Sequence, residues 1–214
     1  MKKLIIQIVL ALAIIVLGYL CYQSIMTPQR FQTIKEQRYL RIIQRLKDIR
    51  TAQEAYKDTY GQYTGSFDTL IHFIKYDSIK VVRSIGSLSD EDLENGITEA
   101  QAIKEGKIIR DTVKASALEN IFNKDYAIDD IRYVPFTKRK HQFKMGATKI
   151  WTDSGIEVPI FEAYVTNMVI FDDLRDEYND ELLEENGERK RLKKFAGLKV
   201  GDLKEANNKV GNWE

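Results

Sequence analysis

Residues 31–60 read FQTIKEQRYLRIIQRLKDIRTAQEAYKDTY and contain neither glycine nor proline. One set of residues recurs here every three or four positions: Tyr39, Ile42, Leu46, Ile49, Gln53, Tyr56 and Tyr60. Every member except Gln53 is apolar or aromatic, and this spacing places the whole set on one face of a helix. We therefore predict a long amphipathic helix over residues 28–60 whose apolar stripe packs against another surface.

Two kinds of surface fit that stripe: a partner helix in a coiled coil, or a β-sheet of the same chain. The aromatic residues near its end favour the sheet, because wide rings suit a flat pleated surface better than a narrow heptad seam. We predict that Tyr56, Tyr60 and Tyr63 form an aromatic clasp where the helix end meets the sheet. The alternative is that the stripe and its tyrosines contact a partner protein.

Upstream of this helix, residues 4–22 read LIIQIVLALAIIVLGYLCY. Between Leu4 and Leu20 the only strongly polar side chain is that of Gln7. As a helix, these residues rise about 29 Å, which matches the hydrocarbon thickness of a bilayer. We predict a transmembrane helix over residues 4–22 in contact with membrane lipid, after a short tail of residues 1–3. Pro28 is expected to kink the chain beyond the span or to begin a new helix.

A cleaved signal peptide and a lipidated cysteine are the rival interpretations of this apolar run. A signal peptidase needs small residues near the cleavage point, whereas the run ends Gly18-Tyr19-Leu20-Cys21-Tyr22. The residue before a lipidated cysteine should also be small, and Leu20 precedes Cys21. The sequence therefore favours an anchor that is not removed.

The orientation of the span follows from the charges that flank it. Lys2 and Lys3 favour a cytoplasmic N-terminus. Basic residues also follow the span, which favours the opposite orientation: Arg30, Lys35, Arg38 and Arg41. Long domains cross membranes largely regardless of such charges. We predict a single-pass protein of the inner (cytoplasmic) membrane with its N-terminus inside and its C-terminal domain in the periplasm or outside.

Residues 61–214 carry the alternation of helix and strand patterns that is typical of an α+β domain. Gly61 ends the long helix, and Ser66 is placed to cap a short helix, FDTLIHFIKY. Alternating segments predict strands: 79–85, 107–113, 131–136, 141–150, 158–165 and 197–201. Three of these, 131–136, 141–150 and 158–165, predict an antiparallel meander. Trp213 is a large apolar residue that would pin the end of the chain onto the domain or anchor a partner.

The order of these features resembles type IV pilins and the pseudopilins of type II secretion. The resemblance covers about residues 1–75 and rests on a membrane span, a following proline and a short pattern: Ala55-Tyr56, Gly61-Gln62-Tyr63, Ser66 and Leu70. It implies a pilin-like α+β fold, in which one N-terminal helix is half embedded in the membrane and half packed on an antiparallel sheet. The prepilin cleavage motif and the glutamate that follows it in that family are absent from this stretch. The resemblance therefore implies the fold, which proteins can share without forming the filament.

Composition and motifs predict a protein without catalytic chemistry. The 33 basic and 32 acidic residues give a formal charge of +1, which argues against a nucleic-acid partner. His72, His141 and Cys21 lie too far apart for a metal site, and we predict no cofactor. We predict a non-catalytic structural or assembly protein of the cell envelope that binds a protein partner or itself. The alternative is a membrane-tethered extracytoplasmic binding or sensing module.

Overall fold

The computed structural model describes residues 2–87, 92, 96, 98–104, 106–152, 154–207 and 209–214. Over these residues the protein is α+β, with a long N-terminal helix and two small antiparallel sheets. The expected fold class is confirmed at this level.

The helix α1 is continuous from Lys2–Tyr60. The sequence predicted two segments, 4–22 and 28–60, with a kink or a new start at Pro28; the structure instead carries both in one helix. Pro28 removes one backbone donor, the N–H that would bond to the carbonyl of Ser24. That loss is confined to one turn, and helical turns on both sides propagate cooperatively past it. No new helix therefore begins at Pro28, and both predicted segments belong to α1.

The two halves of α1 lie in different surroundings. From Ile5 to Ile25 every side chain is exposed, and the helix is long and apolar enough to cross a membrane by length and composition, with a mean hydropathy of 2.5 in its most apolar window. The second half contributes buried residues to the core: Phe31, Ile42, Leu46, Ile49 and Ala52. One helix thus joins an apolar exposed rod to a packed domain.

After α1, the chain forms a short helix and a two-stranded ribbon. The helix α2, Phe67–Tyr76, begins at Ser66, whose hydroxyl accepts a hydrogen bond from the Thr69 amide at 3.5 Å. Strand β1, Ser78–Ile85, pairs antiparallel with β2, Ile109–Ser116. The short helix α3, Glu99–Lys104, lies between these strands in the chain.

The second sheet has the order β3-β4-β5 and is antiparallel throughout. Its strands are Lys144–Trp151, Glu157–Thr166 and Gly197–Gly201. The first strand of the predicted meander, 131–136, is absent from this sheet. A 3-10 helix, Ile128–Arg132, and a turn at Pro135 and Phe136 occupy most of that stretch, and between them Tyr133 forms an isolated antiparallel bridge with Gln142. Pro135 has no N–H to donate and Phe136 adopts a φ of +69°, so neither residue continues a strand.

The remaining helices connect these strands and cover α1. Helix α4, Ala117–Ile121, follows β2, while α5, Asn167–Ile170, and a 3-10 turn, Asp172–Leu174, follow β4. Helix α6, Arg175–Arg191, then leads to β5. The core lies where the buried stripe of α1 meets the inner face of β4 and β5: Phe161, Ala163, Val165, Leu198 and Val200.

Candidate membrane anchor and interaction surface

The polar member of the helix stripe, Gln53, has a structural role. Its side chain is fully buried and donates a hydrogen bond to the Thr64 carbonyl at 2.6 Å. The same amide group accepts a bond from the Thr64 N–H at 3.1 Å. Gln53 therefore satisfies the backbone of the loop that turns back onto the helix, which is why a polar residue occupies an otherwise apolar stripe.

The three tyrosines that were expected to form one clasp contact two different elements. Tyr63 is buried and packs on Phe161 of β4, with ring centroids 4.8 Å apart. Tyr56 and Tyr60 pack instead on Phe73 of α2, at 5.3 and 5.8 Å. Of the three, Tyr63 alone contacts the sheet as predicted. Helix α2 packs against the end of α1 and contacts Tyr56 and Tyr60 in place of the sheet.

A charged contact joins the middle of α1 to the segment before α6. Arg38 donates to both carboxylate oxygens of Asp173, at 2.6 and 2.8 Å, and to the Ile170 carbonyl at 2.7 Å. Only 9% of Arg38 is exposed, although Asp173 itself is largely accessible. Two parallel hydrogen bonds of this kind fix both the distance between the guanidinium and the carboxylate and their relative orientation.

Neighbouring polar side chains extend this contact along α1. The Tyr39 hydroxyl donates to the fully buried Asn167 at 2.6 Å, and Asn167 donates to Asn186 at 2.9 Å. Lys35 bonds to Glu185 at 2.7 Å. We call the set Lys35, Arg38, Tyr39, Asn167, Asp173, Asn186 and Glu185 the polar clasp. Burial raises the pKa of Tyr39 to about 12, so this hydroxyl stays protonated at any physiological pH.

The polar clasp was not found by sequence reasoning. The sequence shows an acid-rich stretch at 172–188 and basic residues along 35–45, but about 130 residues separate them. Opposite charges in two distant segments give a weak signal, since most such charges face solvent. Only the fold shows that Arg38 and Asp173 meet.

We expect acid to weaken the polar clasp through Asp173. The hydrogen bonds from Arg38 hold the pKa of Asp173 below its ordinary value. A carboxylate with a lowered folded-state pKa stabilises the protein above its unfolded pKa, about 3.9, and this contribution disappears as the pH falls through the folded value. The protection factors of the amides of residues 175–191, which correct for the slower intrinsic exchange in acid, should therefore fall more between pH 5 and pH 2.5 in the native chain than in Arg38→Gln.

The matched control for this experiment is Arg41→Gln. Arg41 lies one turn further along α1, is exposed, and has no ion-pair partner among the described residues. Its replacement should leave the native pH dependence unchanged. Equal acid sensitivity in the native chain and in Arg38→Gln would show that the Asp173 pair does not couple these elements.

The end of the chain is held against α1 and β5. Arg50 bonds to Glu214 at 2.9 Å and to the Lys209 carbonyl at 3.2 Å. Trp213 packs against the core, and a Cβ on Gly211 would lie 2.4 Å from its ring. This placement favours the pinning role that was expected for Trp213 over a free anchor for a partner.

The two histidines and the cysteine have different neighbours. His141 contacts Asp172 at 3.1 Å, the His72 ring lies 4.9 Å from the Tyr76 ring at a tilted angle on α2, and Cys21 lies in the apolar half of α1. Hydrogen bonds from Lys140 and His141 lower the pKa of Asp172 to about 2. Among the described residues no three histidine, cysteine or acidic side chains gather in a way that could hold a metal ion.

The chain matches no protein-family model, no curated protein and no solved structure. The resemblance to pilins and pseudopilins is therefore carried only by the residues of this chain. Function has to be argued from the anchor, the domain and the surfaces that they present.

Proposed function

We propose that this protein is a membrane-anchored, pilin-like structural or assembly protein of the cell envelope that acts without catalysis. Residues 4–22 hold it in the inner (cytoplasmic) membrane, with the N-terminus inside and the C-terminal domain in the periplasm or outside. A single observation carries the proposal: one continuous helix has an exposed apolar first half and a second half whose buried face forms part of the core of the domain.

The exposed half of α1 needs an apolar environment. Residues 4–22 include twelve leucine, isoleucine and valine residues. On insertion scales these contribute about −4 to −7 kcal/mol in favour of the bilayer. No part of the most apolar window is covered by the domain. Lipid is therefore the environment that fits this surface.

Continuity of the helix suits a structural role. The 59 residues of α1 form a rod about 88 Å long, and the polar clasp and the core fix the domain on its second half. The domain thus has a set height and orientation relative to the anchor. An enzyme or a sensor on a flexible tether would not require that rigidity.

The packing of α1 on an antiparallel sheet supports the pilin-like part of the proposal. The cleft that borders β4 beside Tyr63 has a volume of about 100 Å³, whereas ligand pockets usually measure roughly 300–1,000 Å³. This argues against a binding module whose ligand pocket lies in the sheet; larger, open clefts of about 350 to 620 Å³ lie elsewhere on the described surface.

Cysteine crosslinking in native membranes tests the assembly role. In a Cys21→Ser background, single cysteines replace exposed apolar residues: Leu40, Ile85, Trp151, Ile156 and Leu183. At native abundance, at least one position should give a crosslinked species of defined mass, formed with a second copy or with a partner protein. Ile42→Cys is the matched control, since Ile42 is buried and should give none. A chain that stays monomeric at all five positions contradicts the proposal.

A further inference from the structure

A groove lies between the end of α1 and the helix α2. Its lining consists of aromatic and acidic side chains with a histidine and a threonine: Tyr56, Tyr60, Phe73, Asp68, Asp77, His72 and Thr69. Its floor is Phe73, which is 2% exposed, and its rim is Tyr60, which is 51% exposed. Neither the anchor nor the polar clasp accounts for this surface.

The three rings of the groove form a closed set of contacts. Tyr56 lies 4.8 Å from Tyr60, and both approach the Phe73 ring edge to face, with interplanar angles of 84° and 70°. Each aromatic face carries a partial negative charge, so rings arranged around a groove attract a cation. Tyrosine is also enriched among the residues that dominate protein interfaces.

Asp77 supplies a full negative charge beside these rings. Its carboxylate accepts a hydrogen bond from the Tyr60 hydroxyl, and no cationic side chain of the described residues pairs with it. Its backbone is fixed at both ends, because its N–H donates to Phe73 at 3.0 Å and its carbonyl accepts from Ala117 at 3.1 Å. The anionic group and the Tyr60 ring are therefore held in place before any ligand arrives.

The second acid that lines the groove, Asp68, and the lysine in the last turn of α2, Lys75, are already paired. Asp68 bonds to Arg132 at 2.5 Å, and Lys75 bonds to Asp129 at 2.7 Å. Of the two carboxylates that line the groove, that of Asp77 has no ionic partner among the described residues. Charge complementarity thus calls for a single cation with an apolar stem, such as an arginine or lysine side chain.

The distance of the groove from the membrane span favours a protein ligand over a lipid. Tyr60 lies 38 residues beyond residue 22, from 22 to 60, which is about 57 Å along a straight helix. Charged lipid headgroups at the bilayer surface do not reach that far. We propose that this groove binds an arginine or lysine side chain of a partner protein, with the cation over the Tyr60 ring and against the Asp77 carboxylate. The proposal rests on the assembly role given above and names the chemistry of the partner.

The test is a titration of the full chain in nanodiscs of neutral phosphatidylcholine, followed by fluorine NMR of 3-fluorotyrosine. The probe is the peptide acetyl-Gly-Arg-Gly-Arg-Gly-amide, and its matched control has citrulline, a neutral isostere, in place of arginine. The Tyr56 and Tyr60 signals should shift and saturate with the arginine peptide alone. Raising the salt concentration should weaken binding, since the groove is open to solvent.

Variants separate the groove from the rest of the surface. Tyr60→Ala and Asp77→Asn should each weaken peptide binding by about tenfold or more. Tyr76→Ala is the control, because Tyr76 is an exposed tyrosine on α2 that does not line the groove. Asp77→Asn keeps the shape of the side chain, so the result does not depend on Tyr60→Ala folding.

Three outcomes would overturn the inference. The first is that the citrulline peptide shifts the Tyr56 and Tyr60 signals as much as the arginine peptide does. The second is that Asp77→Asn binds the arginine peptide as tightly as the native chain. The third is that tetramethylammonium saturates the signals at a lower concentration than the arginine peptide. Failure here leaves the anchor and its crosslinks unaffected. Conversely, a chain that is not in the membrane would still bind the peptide, so the two proposals fail separately.

Discussion

Replacement of Leu46 by alanine is expected to lower the free energy of unfolding by about 2–5 kcal/mol. Leu46 is fully buried at the centre of the α1 stripe, within the core cluster that includes β4 and β5. Truncation removes apolar contacts and leaves a cavity, because the surrounding helix and sheet can relax only in part. Urea unfolding of the full chain in detergent micelles, followed by near-ultraviolet circular dichroism, measures this change.

Leu40→Ala provides a matched control on the same helix. Leu40 is 68% exposed, so its truncation should change the free energy of unfolding by no more than about 0.5 kcal/mol. Equal, small effects at both positions would mean that the stripe is not packed on the domain. The stripe would then be free for a partner, as the coiled-coil interpretation requires.

Arginine at both Leu12 and Ile15 is expected to abolish stable membrane insertion. Each arginine near the centre of a span costs about 2.5–3.5 kcal/mol, so the pair offsets most or all of the about −4 to −7 kcal/mol that the apolar residues contribute. Both positions are exposed, at 58% and 67%, so the domain should fold as before. Carbonate extraction of membranes should release the Leu12→Arg, Ile15→Arg chain and retain the native one.

The same two positions changed to alanine test whether charge is the cause. Alanine shortens both side chains but adds no charge, and the remaining apolar residues should keep the chain in the carbonate-resistant fraction. Release of the alanine variant together with the arginine variant would point to a peripheral association. Retention of the arginine variant would remove the case for a lipid-embedded span.

Local patterns in the sequence predicted the elements that depend on local chemistry. The amphipathic periodicity of α1, the Ser66 cap of α2 and the final strand at 197–201 all depend on neighbouring residues, and the structure contains each of them. The α+β class followed from the same patterns. Such signals survive in a single sequence because propensity, capping and periodicity act over a few residues.

The predictions that failed depended on contacts between distant segments. Pro28 looked like a boundary, but helix on both sides continues through it. Residues 131–136 alternate like a strand, yet only Tyr133 forms an antiparallel bridge, with Gln142, and the place of the third strand in the sheet is taken by β5. The pairing of Arg38 with Asp173 and of Tyr60 with Asp77 could not be read from the sequence, since neither pair has a local signature.

Protease protection in intact and osmotically opened cells, with the N-terminus of the recovered fragment read by mass spectrometry, tests the membrane-anchored arrangement most directly. A periplasmic domain on an uncleaved anchor should be digested only once the periplasm is opened, and the protected fragment should retain residues 1–20. Protection until the inner membrane is broken would place the domain in the cytoplasm. A fragment that begins after Tyr22 would show a cleaved signal peptide; either result would contradict the arrangement.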